Sequence, residues 1–194
     1  MSSWDDFRDC GMKSPADDIR CYQKLASRIN KGKPVKIVEV GTFAGLTAKC
    51  LAELGHEVHC VDHWLGSPHD RSSDLVEEHG PGGVHDAFRA NLSEYLGKTV
   101  FEHVGSSKTI GEAWEPDTAD MVIIDASHEY EDVVEDIEVW SKAVAPGGII
   151  CGHDYNSQGV KAAVDVIFGN YVQTGGFCVW WIEAGGEFKP QLGE

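Results

Sequence analysis

Two short polar segments contain the residue types that could do chemistry. The segment IIDASHEY ends a hydrophobic run with Asp125 and places His128 three residues later. The segment GHDY places His153 beside Asp154 after a second hydrophobic run. Carboxylates and imidazoles bind divalent cations, and an imidazole with a pKa of about 6.5 can accept a proton from a hydroxyl group. These segments are therefore the first candidates for a functional site.

A cation site follows if the two segments come after adjacent parallel strands, whose carboxyl ends lie at the same edge of a sheet. Asp125 and Asp154 would then bind one divalent cation together with His153 or His128, and water or substrate oxygens would fill the remaining positions. The imidazole suits manganese, zinc, iron or nickel better than magnesium. In the alternative interpretation, Asp125 caps backbone amides in its loop and His153 only forms nearby hydrogen bonds.

Three roles are open to His128 at this stage. It could be a general base that takes a hydroxyl proton, which typically raises the rate about 10²- to 10⁴-fold. It could also be a metal ligand, or an anchor of its loop. Tyr130 and Tyr155 either close the same pocket or belong to the core with their hydroxyl groups hydrogen-bonded.

The elements that must position these residues alternate along the chain. Apolar and β-branched runs predict strands, and apolar residues at helical spacing predict helices. The predicted strands are VKIVEV, EVHCVD, TVFEHVG, ADMVIID and GGIICG, with YVQTGGFCVWWIE as a terminal hairpin. The predicted helices are SPADDIRCYQKLASRIN with Ser14 as its N-cap, LTAKCLAELG, VHDAFRANLSEYLG, YEDVVEDIEVWSKAV and GVKAAVDVIFG.

This order of elements predicts an α/β fold, because parallel neighbours need crossover connections. We expect a single Rossmann-like, doubly wound and mostly parallel sheet of seven strands, with an antiparallel strand from the C-terminal hairpin. Ligands bind outside the carboxyl ends of the strands in such sheets. Asp125 is predicted to lie at that edge, as are Gly41, Asp62 and Gly152.

The segment VEVGTFAGLTA has the pattern of a strand, a tight glycine turn and a helix. Gly41 allows the chain to turn and approach a ligand, and Gly45 permits close packing of the helix start. Asp62 ends the next strand about 20 residues further on, where a carboxylate can accept hydrogen bonds from both hydroxyl groups of a ribose. The phosphate-binding patterns GxGxxG and GxxxxGK[ST] are absent from the sequence. Together these features indicate an adenosine-type cofactor.

Composition narrows the functional classes. The 194 residues suit one domain, and the formal net charge of −16 disfavours nucleic acid as a partner. No apolar run approaches the roughly 20 residues that a membrane crossing requires. The start MSSWDDFRDC lacks the pattern of a secretory signal, and the six cysteines show no metal-type spacing. We therefore expect a cytoplasmic protein with reduced thiols and no membrane partner.

Four segments together resemble the class I S-adenosylmethionine-dependent methyltransferases. They are VEVGTFAGLTA, VDHWLGS, VIIDASHEYEDVVEDIEVWSKAVAPGGIICGHDY and GVKAAVDVIF, and the resemblance runs from Val35 to the C-terminus. It is closest to the branch of small-molecule O-methyltransferases that includes macrolide-sugar and cephalosporin-type enzymes. The resemblance implies S-adenosyl-L-methionine as cofactor and a small molecule with a hydroxyl group as methyl acceptor. It leaves the oligomeric state open, including a homo-oligomer.

The resemblance also implies roles for individual residues. The first motif would hold the methionine part of the cofactor, the acid after the second strand the ribose, and the turn after the third strand the adenine edge. The implied cofactor-binding residues are Glu39, Gly41, Thr42, Phe43, Ala44, Gly45, Asp62, His63, Trp64, Ser106, Ser107 and Asp125. Asp125 and His128 would be catalytic, and Asp125, His153 and Asp154 would hold a divalent metal such as Mg²⁺, Mn²⁺ or another transition metal. His153 departs from the family pattern, in which an acidic residue often precedes the last Asp.

Domain organisation follows from the same resemblance. Residues 1–194 form one methyltransferase domain, in which 1–33 is an N-terminal helical segment and 66–83 a lid or substrate loop. In the alternative interpretation, the segment 66–83 is a loop without substrate contacts. Two rival functions remain, a nicotinamide-dependent oxidoreductase and a non-catalytic cofactor-binding module. The lack of GxGxxG and the terminal hairpin argue against the oxidoreductase.

Overall fold

A seven-stranded sheet with helices on both faces forms the protein. The computed structural model describes residues 15–67, 71–80 and 82–184; the predicted N-cap Ser14 and parts of the segment 66–83 lie outside them. The strands are β1 (Lys36–Val40), β2 (Glu57–Asp62), β3 (Val100–Val104), β4 (Ala119–Ile124), β5 (Val144–Gly152), β6 (Gln173–Gly175) and β7 (Val179–Glu183). The α-helices are α1 (Pro15–Ile29), α2 (Leu46–Ala52), α3 (Arg71–His79), α4 (Gly83–Asn91), α5 (Ser107–Glu112), α6 (Tyr130–Trp140) and α7 (Gln158–Phe168). Short 3₁₀ helices, Ser141–Ala143 and Gly169–Tyr171, follow α6 and α7.

The strand order is β3-β2-β1-β4-β5-β7-β6, which confirms the predicted fold class. Strands β1 to β5 pair in parallel, and β7 pairs antiparallel with both β5 and β6. The order reverses between β1 and β4, which are both central. The carboxyl ends of these two strands therefore lie side by side, at the position where such sheets bind ligands.

Two hydrophobic cores lie on the two faces of the sheet. Ile37 of β1 packs into the first core, with side chains of α1, α2 and α4. Val38 and Val40 pack into the second core, with side chains of α6 and α7. Successive side chains of a strand point to opposite faces, so a strand covered on both faces is apolar throughout. The one polar residue in β1 that is fully buried is Glu39, which is only 2% exposed.

Two helices appear where the sequence predicted none. Helix α3 lies within the segment 66–83, which was predicted to be a loop. This segment is rich in serine and charge, and Leu75 is the only buried residue among the α3 side chains that the structure describes, so its apolar signal is weak. Helix α5 follows the turn after β3, and the Ser106 side chain caps it by accepting a hydrogen bond from the Thr109 amide. Within the described ranges, none of the helices combines the length and hydrophobicity that crossing a bilayer requires.

Gly41 should be essential to stability, and Gly55 is its matched control. Both have φ of 85°, where an alanine costs about 1 to 2 kcal/mol. At Gly41 a Cβ would also overlap the backbone of Asp125 and Ala126, whereas at Gly55 it would meet nothing within 4 Å. We expect Gly41→Ala to lower the free energy of unfolding by at least about 1 to 3 kcal/mol more than Gly55→Ala, in urea denaturation. Equal losses would contradict the close approach of the two loops.

Candidate active site

A large cleft opens at the carboxyl ends of the parallel strands. Its volume is about 1190 Å³. The loops after β1, β2, β4 and β5 line it, and helix α6 contributes acidic side chains to one wall. Most of the residues predicted from the sequence line this one cleft: Glu39, Gly41, Thr42, Phe43, Ala44, Gly45, Asp62, His63, Trp64, Ser106, Ser107, Asp125, His128, His153 and Asp154.

The Asp62 carboxylate joins the loop after β1 to the loop after β2. Its Oδ2 accepts a hydrogen bond from the Phe43 amide at 2.8 Å, and its Oδ1 accepts one from the Trp64 amide at 2.7 Å. The Trp64 indole Nε1 donates in turn to the carbonyl of Phe43 at 2.8 Å. Each carboxylate oxygen can accept a further hydrogen bond. Asp62 therefore fixes two loops and can still receive hydroxyl groups from a ligand.

Glu39 is a buried acid at the floor of the cleft. The Thr42 hydroxyl donates to its Oε2 at 2.6 Å. Burial raises the pKa of Glu39 to about 8, although the hydrogen bonds from Thr42 and Thr47 oppose this change. Glu39 is therefore largely protonated near neutral pH in the free protein. A cationic ligand group nearby would favour its ionised form.

Asp125, His128 and Asp154 form a cluster that opens on the cleft, which we call the open cluster. One donor atom from each residue lies within 4.8 Å of those of the other two, and all three side chains are partly exposed. His128 Nε2 is 2.8 Å from Asp154 Oδ2. Burial raises the pKa of Asp125 to about 7, and the charge of Asp154 acts in the same direction while those of His153 and His128 oppose it. Burial alone would also raise the pKa of Asp154, but hydrogen bonds with His128 and His153 hold it well below its usual range.

His153 lies behind the open cluster and is only 6% exposed. Its Nδ1 is 3.0 Å from Asp154 Oδ2 and 3.8 Å from Asp125 Oδ1. Its Nε2 points away from them, to Asp18 Oδ2 at 3.2 Å and Cys178 Sγ at 3.2 Å. Burial would lower the pKa of His153, but the charge of Asp125 and the hydrogen bonds with Asp154 and Cys178 raise it to about 12.

A family model described as "Methyltransferase domain" matches residues 38–155, which is more than half of the chain. The chain belongs to this methyltransferase family. The match confirms the family predicted from the sequence, and it weighs against the rival interpretation as a nicotinamide-dependent oxidoreductase. It begins at Val38 within β1 and runs through the open cluster to Tyr155.

Individual relatives are distant. The uncharacterized protein y4gI of Sinorhizobium fredii is 28% identical over 129 residues, which are 63% of this chain but only 13% of that protein. The chain thus spans about an eighth of the length of this curated relative. The O-methyltransferase NovP has a similar structure, with a TM-score of 0.67, 15% identity, and coverage of 87% of this chain and 80% of that one.

Two further solved structures share the fold. A putative O-methyltransferase from Klebsiella pneumoniae has a TM-score of 0.61 and 16% identity, and the match covers 89% of this chain and 84% of that one. The TDP-rhamnose 3'-O-methyltransferase CalS11 of calicheamicin biosynthesis has a TM-score of 0.59 and 15% identity, with coverage of 86% and 78%. At such low identity these similarities establish the fold alone.

In this methyltransferase domain, Trp64 lines the cleft although most of its surface is buried. Its side chain is 4% exposed, and its ring stacks on His85 at 3.9 Å between centroids with an interplanar angle of 13°. His85 also pairs with Glu102 at 2.9 Å. No local sequence pattern predicts this stack, because His85 lies on a separate element, helix α4. His63 is more exposed, and its Nδ1 accepts a hydrogen bond from the Leu65 amide.

Asp136 is a cleft residue of the methyltransferase domain that the sequence interpretation missed. Its carboxylate accepts a hydrogen bond from the Ser107 hydroxyl, and Ser107 accepts one from Trp140 Nε1 at 2.8 Å. Burial raises the pKa of Asp136 to about 6, while the Ser107 hydrogen bond opposes this change. Helical spacing could have revealed it, because Asp136 is three residues after Val133 and four before Trp140, both of them buried.

The two tyrosines lie apart from the chemistry of the cleft. The Tyr155 hydroxyl donates to Asp165 Oδ1 at 2.5 Å, and its ring packs against the second core. Tyr155 thus fits the second of its two interpretations, a core aromatic with a hydrogen-bonded hydroxyl. Tyr130 begins α6 and is 36% exposed.

Replacing Glu39 should change how stability depends on pH. The folded protein keeps the Glu39 proton up to a pKa of about 8, whereas the unfolded chain releases it near 4.5. The unfolded state then binds fewer protons, so this group makes stability fall as pH rises between these values. We expect Glu39→Gln to be more stable than wild type by on the order of 2 to 4 kcal/mol at about pH 8, but not at about pH 5.

Urea denaturation at several pH values measures this difference. The exposed Glu94→Gln is the control and should follow the wild type. Some pH dependence will stay in Glu39→Gln, because burial also raises the pKa of Asp125 to about 7. Parallel profiles for Glu39→Gln and wild type would contradict a protonated Glu39.

Proposed function

We propose that the protein transfers a methyl group from S-adenosyl-L-methionine to an oxygen of a small molecule. The observation that carries this proposal is the shape of one cleft: the Asp62 loops and the open cluster line the same cavity, side by side. This arrangement would put a cofactor site next to an acceptor site. The O-methyltransferase activity named for NovP and CalS11, which share the fold, is consistent with this assignment.

The residues of the cleft fit this cofactor. Asp62 would accept hydrogen bonds from the two ribose hydroxyl groups, since each of its oxygens has one backbone donor and capacity for another. Glu39 would receive a cationic part of the cofactor, such as its amino group. Among the described residues the groups hydrogen-bonded to Glu39 are hydroxyls, from Thr42 and Thr47. A cation would therefore provide the positively charged partner that Glu39 lacks among the described residues.

Methyl transfer requires little covalent help from a protein, because the sulfonium is already a strong electrophile. Alignment of donor and acceptor can supply about 7 to 11 kcal/mol in ideal cases. His128 would accept the acceptor's hydroxyl proton as the oxygen attacks the methyl carbon. Asp154, 2.8 Å from His128 Nε2, would stabilise the imidazolium that forms.

A divalent metal also fits the open cluster. Asp125, His128 and Asp154 offer two carboxylates and an imidazole within 4.8 Å of one another, a donor set suited to Mn²⁺ or another transition metal. A metal bound there would lower the pKa of an acceptor hydroxyl and help to orient it. His128 would then be a ligand rather than a free base. The earlier assignment of His153 to this site stays a prediction, with its Nδ1 close to Asp125 and Asp154.

Cofactor binding is the first test of the proposal. Isothermal titration should detect S-adenosyl-L-methionine binding to the wild-type protein, and Asp62→Asn should weaken it about 10- to 100-fold, equivalent to about 1.4 to 2.8 kcal/mol. The exposed Glu94→Gln should bind as wild type does. The melting temperature of each variant separates a lost contact from unfolding. Absence of binding at about 1 mM cofactor would refute the proposal.

Chemistry is tested by release of S-adenosylhomocysteine in a screen of small hydroxylated acceptors, both sugars and phenols. With an acceptor in hand, His128→Ala should lower kcat about 10²- to 10⁴-fold while cofactor affinity stays within a factor of about two. A parallel assay after EDTA treatment assigns the role of His128. Full activity in EDTA means that His128 acts as a base alone, and loss restored by Mn²⁺ means that the open cluster holds a metal. Unchanged turnover in His128→Ala would remove His128 from the reaction.

A further inference from the structure

A second cluster of metal-binding side chains lies behind the cleft and outside the open cluster. It consists of Asp18 of α1, His153 after β5 and Cys178 before β7, and we call it the buried cluster. The three residues are 2%, 6% and 6% exposed. The sequence did not point to it, because 160 positions separate Asp18 from Cys178.

The distances in the buried cluster are close to those between ligands of one tetrahedral metal. His153 Nε2 lies 3.2 Å from Asp18 Oδ2 and 3.2 Å from Cys178 Sγ, and Sγ lies 4.0 Å from Asp18 Oδ2. Zinc bonds of about 2.0 to 2.3 Å at tetrahedral angles separate the ligand atoms by roughly 3.3 to 3.6 Å. The three atoms therefore need to move only by a few tenths of an ångström around a central ion.

The groups behind these ligands are arranged as in a metal site. Ligating histidines almost always hydrogen-bond a carboxylate or carbonyl through the other ring nitrogen. Here His153 Nδ1 is 3.0 Å from Asp154 Oδ2. Asp18 Oδ1 accepts hydrogen bonds from the amides of Phe177 and Cys178 at 2.5 and 3.2 Å, so its Oδ2 is the oxygen left to face His153. The candidate ligand atoms and the groups that orient them are thus both present.

We propose that the buried cluster is a structural zinc site that ties α1 to the ends of β5 and β7. Aspartate oxygen, imidazole nitrogen and thiolate sulfur are all established zinc ligands. Water, or Asp154 Oδ1 at 4.0 Å from Cys178 Sγ, completes the four ligands. Binding displaces the thiol proton of Cys178 and any proton on His153 Nε2, and both pass to solvent. This site adjoins the open cluster through His153 and Asp154, but it does not depend on the proposed methyl transfer.

In the alternative state of the buried cluster, no metal is bound and a protonated His153 lies between Asp18 and Asp154. Cobalt distinguishes the two states, because a thiolate bound to Co²⁺ gives a sulfur-to-metal charge-transfer absorption in the near ultraviolet that carboxylate and imidazole ligands do not give. The full chain is stripped of metal with a chelator, titrated with Co²⁺ under reducing conditions, and then with Zn²⁺. We expect this absorption at one equivalent of Co²⁺, its loss on adding Zn²⁺, and a higher melting temperature with Zn²⁺.

Substitutions identify the residues that bind the metal. Cys178→Ser should abolish the charge-transfer absorption, whereas Cys50→Ser, at a half-buried thiol on α2, should keep it. Asp18→Asn is the conservative second variant, because the Asn oxygen can still accept hydrogen bonds from the Phe177 and Cys178 amides. It should weaken Zn²⁺ binding by about 10-fold or more, as changes to the groups around a metal typically do. His128→Ala, in the open cluster, should keep the absorption.

Three outcomes would overturn the proposal. They are absence of the charge-transfer absorption in the wild type, its persistence in Cys178→Ser, and its loss in His128→Ala with retention in Asp18→Asn. The last outcome would mean that the thiolate-bound metal depends on His128 and not on Asp18, which contradicts the proposed set of ligands. If Cys178→Ser does not fold, Asp18→Asn and the Zn²⁺-dependent melting temperature decide alone: unaltered Zn²⁺ affinity in Asp18→Asn overturns the site. None of these readouts requires a methyl acceptor.

Discussion

The site depends on the parallel pairing of β1, β2, β4 and β5. The backbone hydrogen bonds between these strands continue to the first residue after β1, β4 and β5. The Gly41 amide donates to the carbonyl of Val61, and the Asp125 amide to the carbonyl of Val40. The His153 amide donates in the same way to Ile124. Each residue that leaves a strand is thus fixed by the end of its neighbour. The first functional side chain of each loop therefore starts from a rigid backbone position, and the loops beyond can vary without moving it.

This edge of the sheet concentrates acids in a partly dry environment. Glu39, Asp125 and Asp136 all have pKa values raised by burial, to about 8, 7 and 6. Near neutral pH the free protein can keep these acids protonated and so avoid burying their negative charges. A cationic ligand can replace those protons. A sulfonium cofactor and a metal ion would both do so. The buried acids of the cleft would therefore favour a cationic ligand, independently of the acidic surface, which serves solubility in many proteins.

Local sequence patterns predicted the central sheet and much of the cleft because those features depend on short stretches of chain. The strand-glycine-helix pattern at Gly41 and the acid at Asp62 lie within single crossovers, where period and turn chemistry decide the structure. Helix α3 escaped prediction because only Leu75 of its apolar residues is fully buried, so the helical period is faint. The contacts of Asp18 escaped for a different reason. They join α1 to β7 through packing of the complete fold, and no local pattern specifies them.

His153 links the two clusters through opposite sides of one ring. Its Nδ1 faces Asp154 at 3.0 Å in the open cluster, and its Nε2 faces Asp18 and Cys178 in the buried cluster. A single imidazole nitrogen cannot serve both, so a ligand held at Nε2 fixes the proton on Nδ1 and makes it a donor to Asp154. Asp154 in turn holds His128 at 2.8 Å. The state of the buried cluster would therefore reach the cleft through two hydrogen bonds, because the second ring nitrogen of His153 connects the cleft to the N-terminal helix α1.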